Sequence, residues 1–258
     1  MHLLFNFYIA APPFSVDVLD ALQLVINELL PQWSRELRVG KYEDSDDCLT
    51  VGRNGRLYDA VHRAAPPKRR LGKAVFTGAY EGLSFFVDHL ESAYPPELNV
   101  IDIEVYLLPL VEGRSTSHWA RELFEAMALR LPIRYAKAHT SEEYHAKNMV
   151  DDESGVRAIG ADLKQAIPGL YWLSYFGPLY VELIGRDKLL TAPAYEVKPI
   201  GDGVLIALDP EAEAWQSAGY REREGATISH LGEQFFFSRL DPKRLTVAPD
   251  YRGERKSR

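Results

Sequence analysis

His139, Glu142, Glu143 and His145 place two histidines and two carboxylates close together in this chain of 258 residues. Glu142 and His145 stand three apart, so a helix would turn them to one side. Together with His139 they could hold a divalent cation that activates water, which is the chemistry of a metal-dependent hydrolase. Carboxylate-rich sites on helices use two such Glu-x-x-His pairs, and this chain has one. It has neither an HExxH motif nor a pair of cysteines. A solvated helix face is the simpler account, so no metal site is assigned and the hydrolase stands as the alternative.

Nucleophilic chemistry finds less support. The chain contains no G-x-S-x-G turn. Ser115, Ser117 and His118 are adjacent, but capping a helix explains the serines. Cys48, the only cysteine, follows Asp46 and Asp47. Neighbouring carboxylates disfavour a thiolate, so Cys48 reads as a structural thiol in a strand. No catalytic residue is assigned, and neither an enzyme activity nor a cofactor is expected.

Binding is the remaining class of function. Glu43, Asp44, Asp46 and Asp47 form one acidic run, and Asp151, Asp152 and Glu153 form a second, expected in a loop. Such runs are usually solvated, and their other use is to meet a basic partner. The formal net charge of −7 agrees with that use. It disagrees with direct nucleic-acid binding, which needs clustered Lys and Arg. Lys68-Arg69-Arg70 and the C-terminal stretch are basic but carry no interleaved stacking aromatics. The segment 168–197 holds Tyr171, Trp172, Tyr175, Phe176, Tyr180 and Tyr195 with no histidine or cysteine. Such a segment is a core, part of which could line a recognition surface. Tyr171, Trp172 and Tyr175 therefore join the acidic residues as candidate partner-binding positions.

The elements that must carry these residues follow from periodicity. Leu3, Phe5, Phe7 and Ile9 alternate as in a strand. Ser15 caps a helix with Leu19, Leu22, Ile26 and Leu29 on one face, ended before Pro31. Asn54-Gly55 predicts a hairpin joining strands near Cys48–Gly52 and Arg56–Val61. Leu83, Phe86, Val87 and Leu90 predict a helix. Ile101, Ile103 and Val105 predict a strand, and Trp119, Leu123 and Met127 a helix capped at Ser115 or Thr116. Ile133–Ala138 reads as a strand. Pro178–Ile184 reads as a helix, Trp172 and Phe176 sharing a face if the chain just before it is helical too. Residues 195–208 read as a second hairpin. Asp209-Pro210 starts a short helix through Trp215, and Ile228, Leu231 and Phe235 mark a last one.

The fold class is therefore α+β, with antiparallel sheets covered by helices. Strand–helix–hairpin order recurs from residue 3 and from residue 101, which suggests two similar halves, 1–96 and 97–245, within one domain. Residues 246–258 read as a basic, frayed tail. The apolar N-terminus lacks a basic signal-peptide region, no run is long enough to span a membrane, and no internal disulfide can form. These observations predict a cytoplasmic protein.

Three runs carry a family resemblance: GLYWLSYFGPLYVELIGRDKLLTAPAYEV, FTGAYEGLSFFVDHLE and HLGEQFFF. The chain resembles the immunity protein 52 family along most of its length. The resemblance implies an immunity protein that binds and neutralises a cognate type VI secretion toxin carrying a restriction-endonuclease-like nuclease domain. It implies no catalytic residues and no cofactor, and it supplies no interface motif.

Overall fold

The computed structural model describes residues 2–12, 14–30, 37–40, 49–51, 55–64, 73–77, 83–88, 98–105, 116–152 and 155–251. The chain divides into two compact units, Met1–Arg134 and Tyr135–Arg258.

The first unit begins with β1 (Leu3–Ile9) and α1 (Val16–Leu29). Short strands β2 (Leu37–Gly40) and β3 (Leu49–Val51) precede α2 (Leu57–Ala64). Then come β4 (Lys73–Thr77), β5 (Leu83–Asp88), β6 (Asn99–Val105) and α3 (Thr116–Arg130). Its six strands form an antiparallel run in the order β1-β6-β5-β4-β2-β3. Alternation builds the sheet's inner face: Leu3, Phe5, Phe7 and Ile9 are buried, and Phe5 pairs with Ile103 and Phe7 with Ile101. The helices close that core. Phe124 of α3 meets the Phe7 ring at 5.2 Å and the Phe5 ring at 6.4 Å. Each such buried aromatic contributes about 1.5–3 kcal/mol. Leu19, Leu22 and Ile26 bury one face of α1. Ser15 takes the cap position of α1 without a side-chain capping bond.

β7 (Ile133–Thr140) starts two residues before the division and runs into the second unit, which goes on with α4 (Ser141–Asn148), β8 (Met149–Asp152) and β9 (Gly155–Ala158). It continues with β10 (Leu173–Phe176), α5 (Pro178–Ile184), α6 (Arg186–Leu190), β11 (Glu196–Ile200), β12 (Gly203–Ala207) and α7 (Ala218–Leu231). Strands β7, β10, β12 and β11 lie side by side and antiparallel. β7, β10 and β12 are buried at every residue; β12 is apolar throughout, whereas β7 also buries Arg134, Lys137, His139 and Thr140, and β10 buries Ser174. β8 and β9 make a separate two-stranded hairpin. Gly203 is required where it stands, because a Cβ there would come within 2.2 Å of the Tyr175 hydroxyl. Tyr251 is buried, and its hydroxyl lies 2.6 Å from that of Tyr180. The chain is thus anchored well into the stretch expected to fray.

The α+β class holds, and the Pro178–Ile184 helix and the 196–207 hairpin stand where expected. Three elements differ. Leu57–Ala64 is a helix, because Leu57, Ala60 and Val61 are buried at helical spacing. Its start is held by Gln23, which accepts from Leu57 N–H (2.9 Å) and donates to the Gly55 carbonyl (2.7 Å). Strand β3 pairs with β2 instead of with a strand after Gly55. Leu83–Asp88 is a strand, paired on both sides by β4 and β6; ladder bonds to two neighbours outweigh a helix-like spacing of four apolar residues. Leu173–Phe176 is a strand, so Trp172 and Phe176 do not share a helix face. Cys48 and Asn54 lie outside the described residues.

Candidate functional site

The most concentrated chemistry among the described residues is a buried polar network around α4. Thr140 caps that helix, its hydroxyl accepting from Glu143 N–H at 3.0 Å. The cap fixes the first turn, so that Glu143 and Lys147, four apart, project to one side. Lys147 Nζ bonds Glu143 Oε1 (2.7 Å), Glu224 Oε1 of α7 (2.7 Å) and the Leu170 carbonyl (2.6 Å). The Tyr220 hydroxyl, also from α7, donates to Glu143 Oε1 at 2.6 Å. Ser217 starts α7 by accepting from Tyr220 N–H, which aims that ring inward.

One turn further along α4, Asn148 donates to the carbonyls of Ile159 and Pro168 at 3.0 and 3.1 Å. It accepts from the Tyr171 hydroxyl. Lys137 of β7 lies over the Tyr144 ring (4.0 Å) and the Tyr171 ring (4.6 Å). His139 packs on the same two rings, its Nδ1 3.0 Å from the Thr140 carbonyl. One cluster thus ties together α4, α7, β7 and the segment leading into β10.

Electrostatics in this cluster follow from burial. The Glu143 side chain has no exposed surface. Desolvation pushes its carboxyl above the usual carboxylate range, against the pull of Lys147 and the Tyr220 bond. Among the described residues its Oε2 has no hydrogen-bond partner. Burial, then the adjacent Glu143 charge, push the Tyr220 hydroxyl well above its ordinary value. A carboxyl with no exposed atom does not meet a substrate in this conformation. The arrangement clamps segments together.

The metal candidates are not brought together. His139 is buried at 1% exposure, whereas Glu142 and His145 are exposed. Among the described residues no group of three His, Cys, Asp or Glu side chains is placed to hold a metal ion.

The partner-binding candidates separate into two classes. Tyr171, Trp172 and Tyr175, expected to offer part of a surface, are core residues at 0, 0 and 4% exposure. Each polar tip is satisfied within the unit: Trp172 Nε1 donates to the Asp209 carbonyl (2.9 Å) and the Tyr175 hydroxyl to the Ile200 carbonyl (3.2 Å). Tyr175 lies on β10, a central strand buried on both faces, and Tyr171 and Trp172 lead into it. Asp151 and Asp152 are exposed, on strand β8 instead of in a loop. Glu153, Glu43, Asp44, Asp46 and Asp47 lie outside the described residues.

Beside the hairpin lies a cavity of about 500 Å³, lined in part by Arg157, Asp162, Gln165, Asp241 and Arg244. Residues 157–166 and 237–246 form its walls. They are some eighty positions apart, so no local sequence pattern marks the site. Its floor depends on Gly160, at φ +64, where an added Cβ would stand 2.1 Å from the Phe237 ring.

No known family's sequence profile matches the chain, and no curated protein matches it. Among solved structures, the Pseudomonas aeruginosa T6SS protein PA0821 shares the fold. Its TM-score is 0.55 at 16% identity, covering 95% of this chain and 78% of the other. At that identity the likeness is one of fold. Among the described residues no helix is long and apolar enough to cross a membrane.

Proposed function

We propose that this protein is an immunity protein. It binds a cognate type VI secretion toxin bearing a restriction-endonuclease-like nuclease domain, and so protects the cell that makes both. The observation that carries the reading is the fold likeness to a T6SS protein over 95% of the chain, joined to the three aromatic-rich runs that resemble immunity protein 52. It acts by binding, in the cytoplasm, without cofactor or chemistry of its own and without touching nucleic acid. A nuclease that grips phosphates presents a basic cleft. A partner of net charge −7 with exposed Asp151 and Asp152 is complementary to such a cleft.

Growth of cells expressing the nuclease-type toxin encoded beside this gene tests the reading. Co-expression of the protein should restore growth and leave chromosomal DNA intact. Cells that die with degraded DNA despite abundant folded protein would refute it.

A further inference from the structure

We propose that the outer edge of β9, with the groove beside it, accepts an extended basic segment of a partner protein as a third strand. The hydrogen-bond register exposes that edge. Ile159 N–H donates to the Asn148 carbonyl at 2.7 Å. Bonded and non-bonded pairs alternate in an antiparallel ladder. Val150/Arg157 and Asp152/Gly155 are therefore bonded pairs, and Met149/Ala158 and Asp151/Val156 are not. The N–H and C=O groups of Val156 and Ala158 then point away from β8. Among the described residues no other strand pairs with this hairpin. All four β9 residues are exposed, Val156 at 59%. An unpaired edge of this kind is a template for strand addition.

The groove favours one sign of charge. Arg157 and Ala158 line it and no residue of β8 does, which sets it along the unpaired side of β9. Its two arginines are already compensated. Arg157 pairs with Asp152 at 3.3 Å, and Arg244 pairs with Glu233 at 2.9 Å while donating to the Glu233 and Phe236 carbonyls. Its two aspartates are not. Asp162 accepts only from Lys164 N–H and the Gln165 amide, and among the described residues neither Asp162 nor Asp241 pairs with a cation. Asp151 stands exposed on the hairpin's other strand. The uncompensated charge is negative, which complements Lys or Arg on the incoming strand. The wall segment also carries Leu240 and Leu245 at 99 and 92% exposure, apolar surface that an incoming chain would cover. Backbone pairing supplies affinity here, and the aspartates select the sign of the side chains.

The immunity reading names who supplies the strand; the surface itself is tested without it. Two labelled, end-capped octapeptides serve as probes, Lys-Val repeated and Glu-Val repeated, with fluorescence anisotropy as readout. The Lys-Val peptide should bind the intact protein and the Glu-Val peptide should not. Ala158→Pro removes an outward N–H that the hairpin does not use, and should weaken binding about ten-fold. The pair Asp162→Asn and Asp241→Asn leaves the backbone alone; it should weaken binding and flatten its salt dependence. Equal binding of both peptides, binding of neither, or unchanged binding by both variants overturns the proposal. So does self-association of the protein that Ala158→Pro abolishes, since the occupant would then be a second copy. A protein that binds its toxin but no strand loses this proposal and keeps the immunity reading. One that takes the basic strand but ignores the toxin does the reverse.

Discussion

Replacing Lys147 by methionine tests the network around α4, because it removes one charge and strands another. Methionine keeps the length and apolar stem of lysine but none of its donors. Three acceptors lose a partner: Glu143 Oε1, Glu224 Oε1 and the buried Leu170 carbonyl. Glu224 is partly exposed at 19% and recovers water, so it adds little. Glu143 has no such recourse. Removing one member of a buried ion pair costs about 3–5 kcal/mol, most of it from the uncompensated charge. The cost depends on pH, and its sign follows from linkage. Burial already raises the folded-state pKa of Glu143 above its ordinary 4.5. A group raised in this way contributes stability below its unfolded pKa, and loses it as pH rises through the folded value. Without Lys147 that folded value climbs further. Lys147→Met should therefore be about 3–5 kcal/mol less stable than the parent near neutral pH. The deficit should shrink as pH falls toward 4.5 and Glu143 takes up a proton. Denaturant unfolding followed by circular dichroism, parent and variant side by side, measures this. Glu143→Gln in the Lys147→Met background should recover part of the loss at neutral pH. A deficit that stays constant across the acidic range, or no rescue, would refute the reasoning.

Three further outcomes are expected. Trp172→Ala should cost about 3–5 kcal/mol in denaturant unfolding, since the ring is fully buried and its N–H is bonded to the Asp209 carbonyl; a variant as stable as the parent would place the ring outside the core. Gly160→Ala should lose about 1–3 kcal/mol in a thermal melt, because the site needs positive φ and the new methyl meets the Phe237 ring; an unchanged melt would show that the ring moves freely. Asp151→Lys with Asp152→Lys should slow association with a basic partner at low salt and leave the high-salt rate nearly unchanged, as read by stopped-flow fluorescence; equal slowing at both salts would assign these residues another role.

Much of the fold was legible where one force dominates. Large apolar side chains at every second position, from Leu3 to Ile9 and from Ile101 to Val105, marked two strands. Pro178 and Gly185 bracketed α5 because proline suits a helix's first turn and glycine its end. Reading failed where long-range pairing decides. Leu83–Asp88 has apolar residues at both helical and strand spacings, and only β4 and β6 on its two sides resolve the ambiguity. Asn54-Gly55 looked like a hairpin turn, but the helix after it is held by Gln23, more than thirty positions earlier. The candidate site was less legible than the fold. Aromatic density at Tyr171–Tyr175 announced a core as strongly as a surface, and burial decides for the core. Glu143 and Lys147 carried a visible i,i+4 signature, yet their partners Tyr220 and Glu224 come from a helix some eighty residues on. Asp162 and Asp241 have no mutual sequence signal at all.

The central claim is that this protein stops a nuclease by binding it. Titrating the purified protein into the purified nuclease domain of its proposed cognate toxin, with DNA cleavage and heat of binding recorded on the same samples, tests that claim most directly. The account predicts a saturable complex, with cleavage lost in proportion to the complex formed. Undiminished cleavage in the presence of excess folded protein, with no heat of binding, would contradict it.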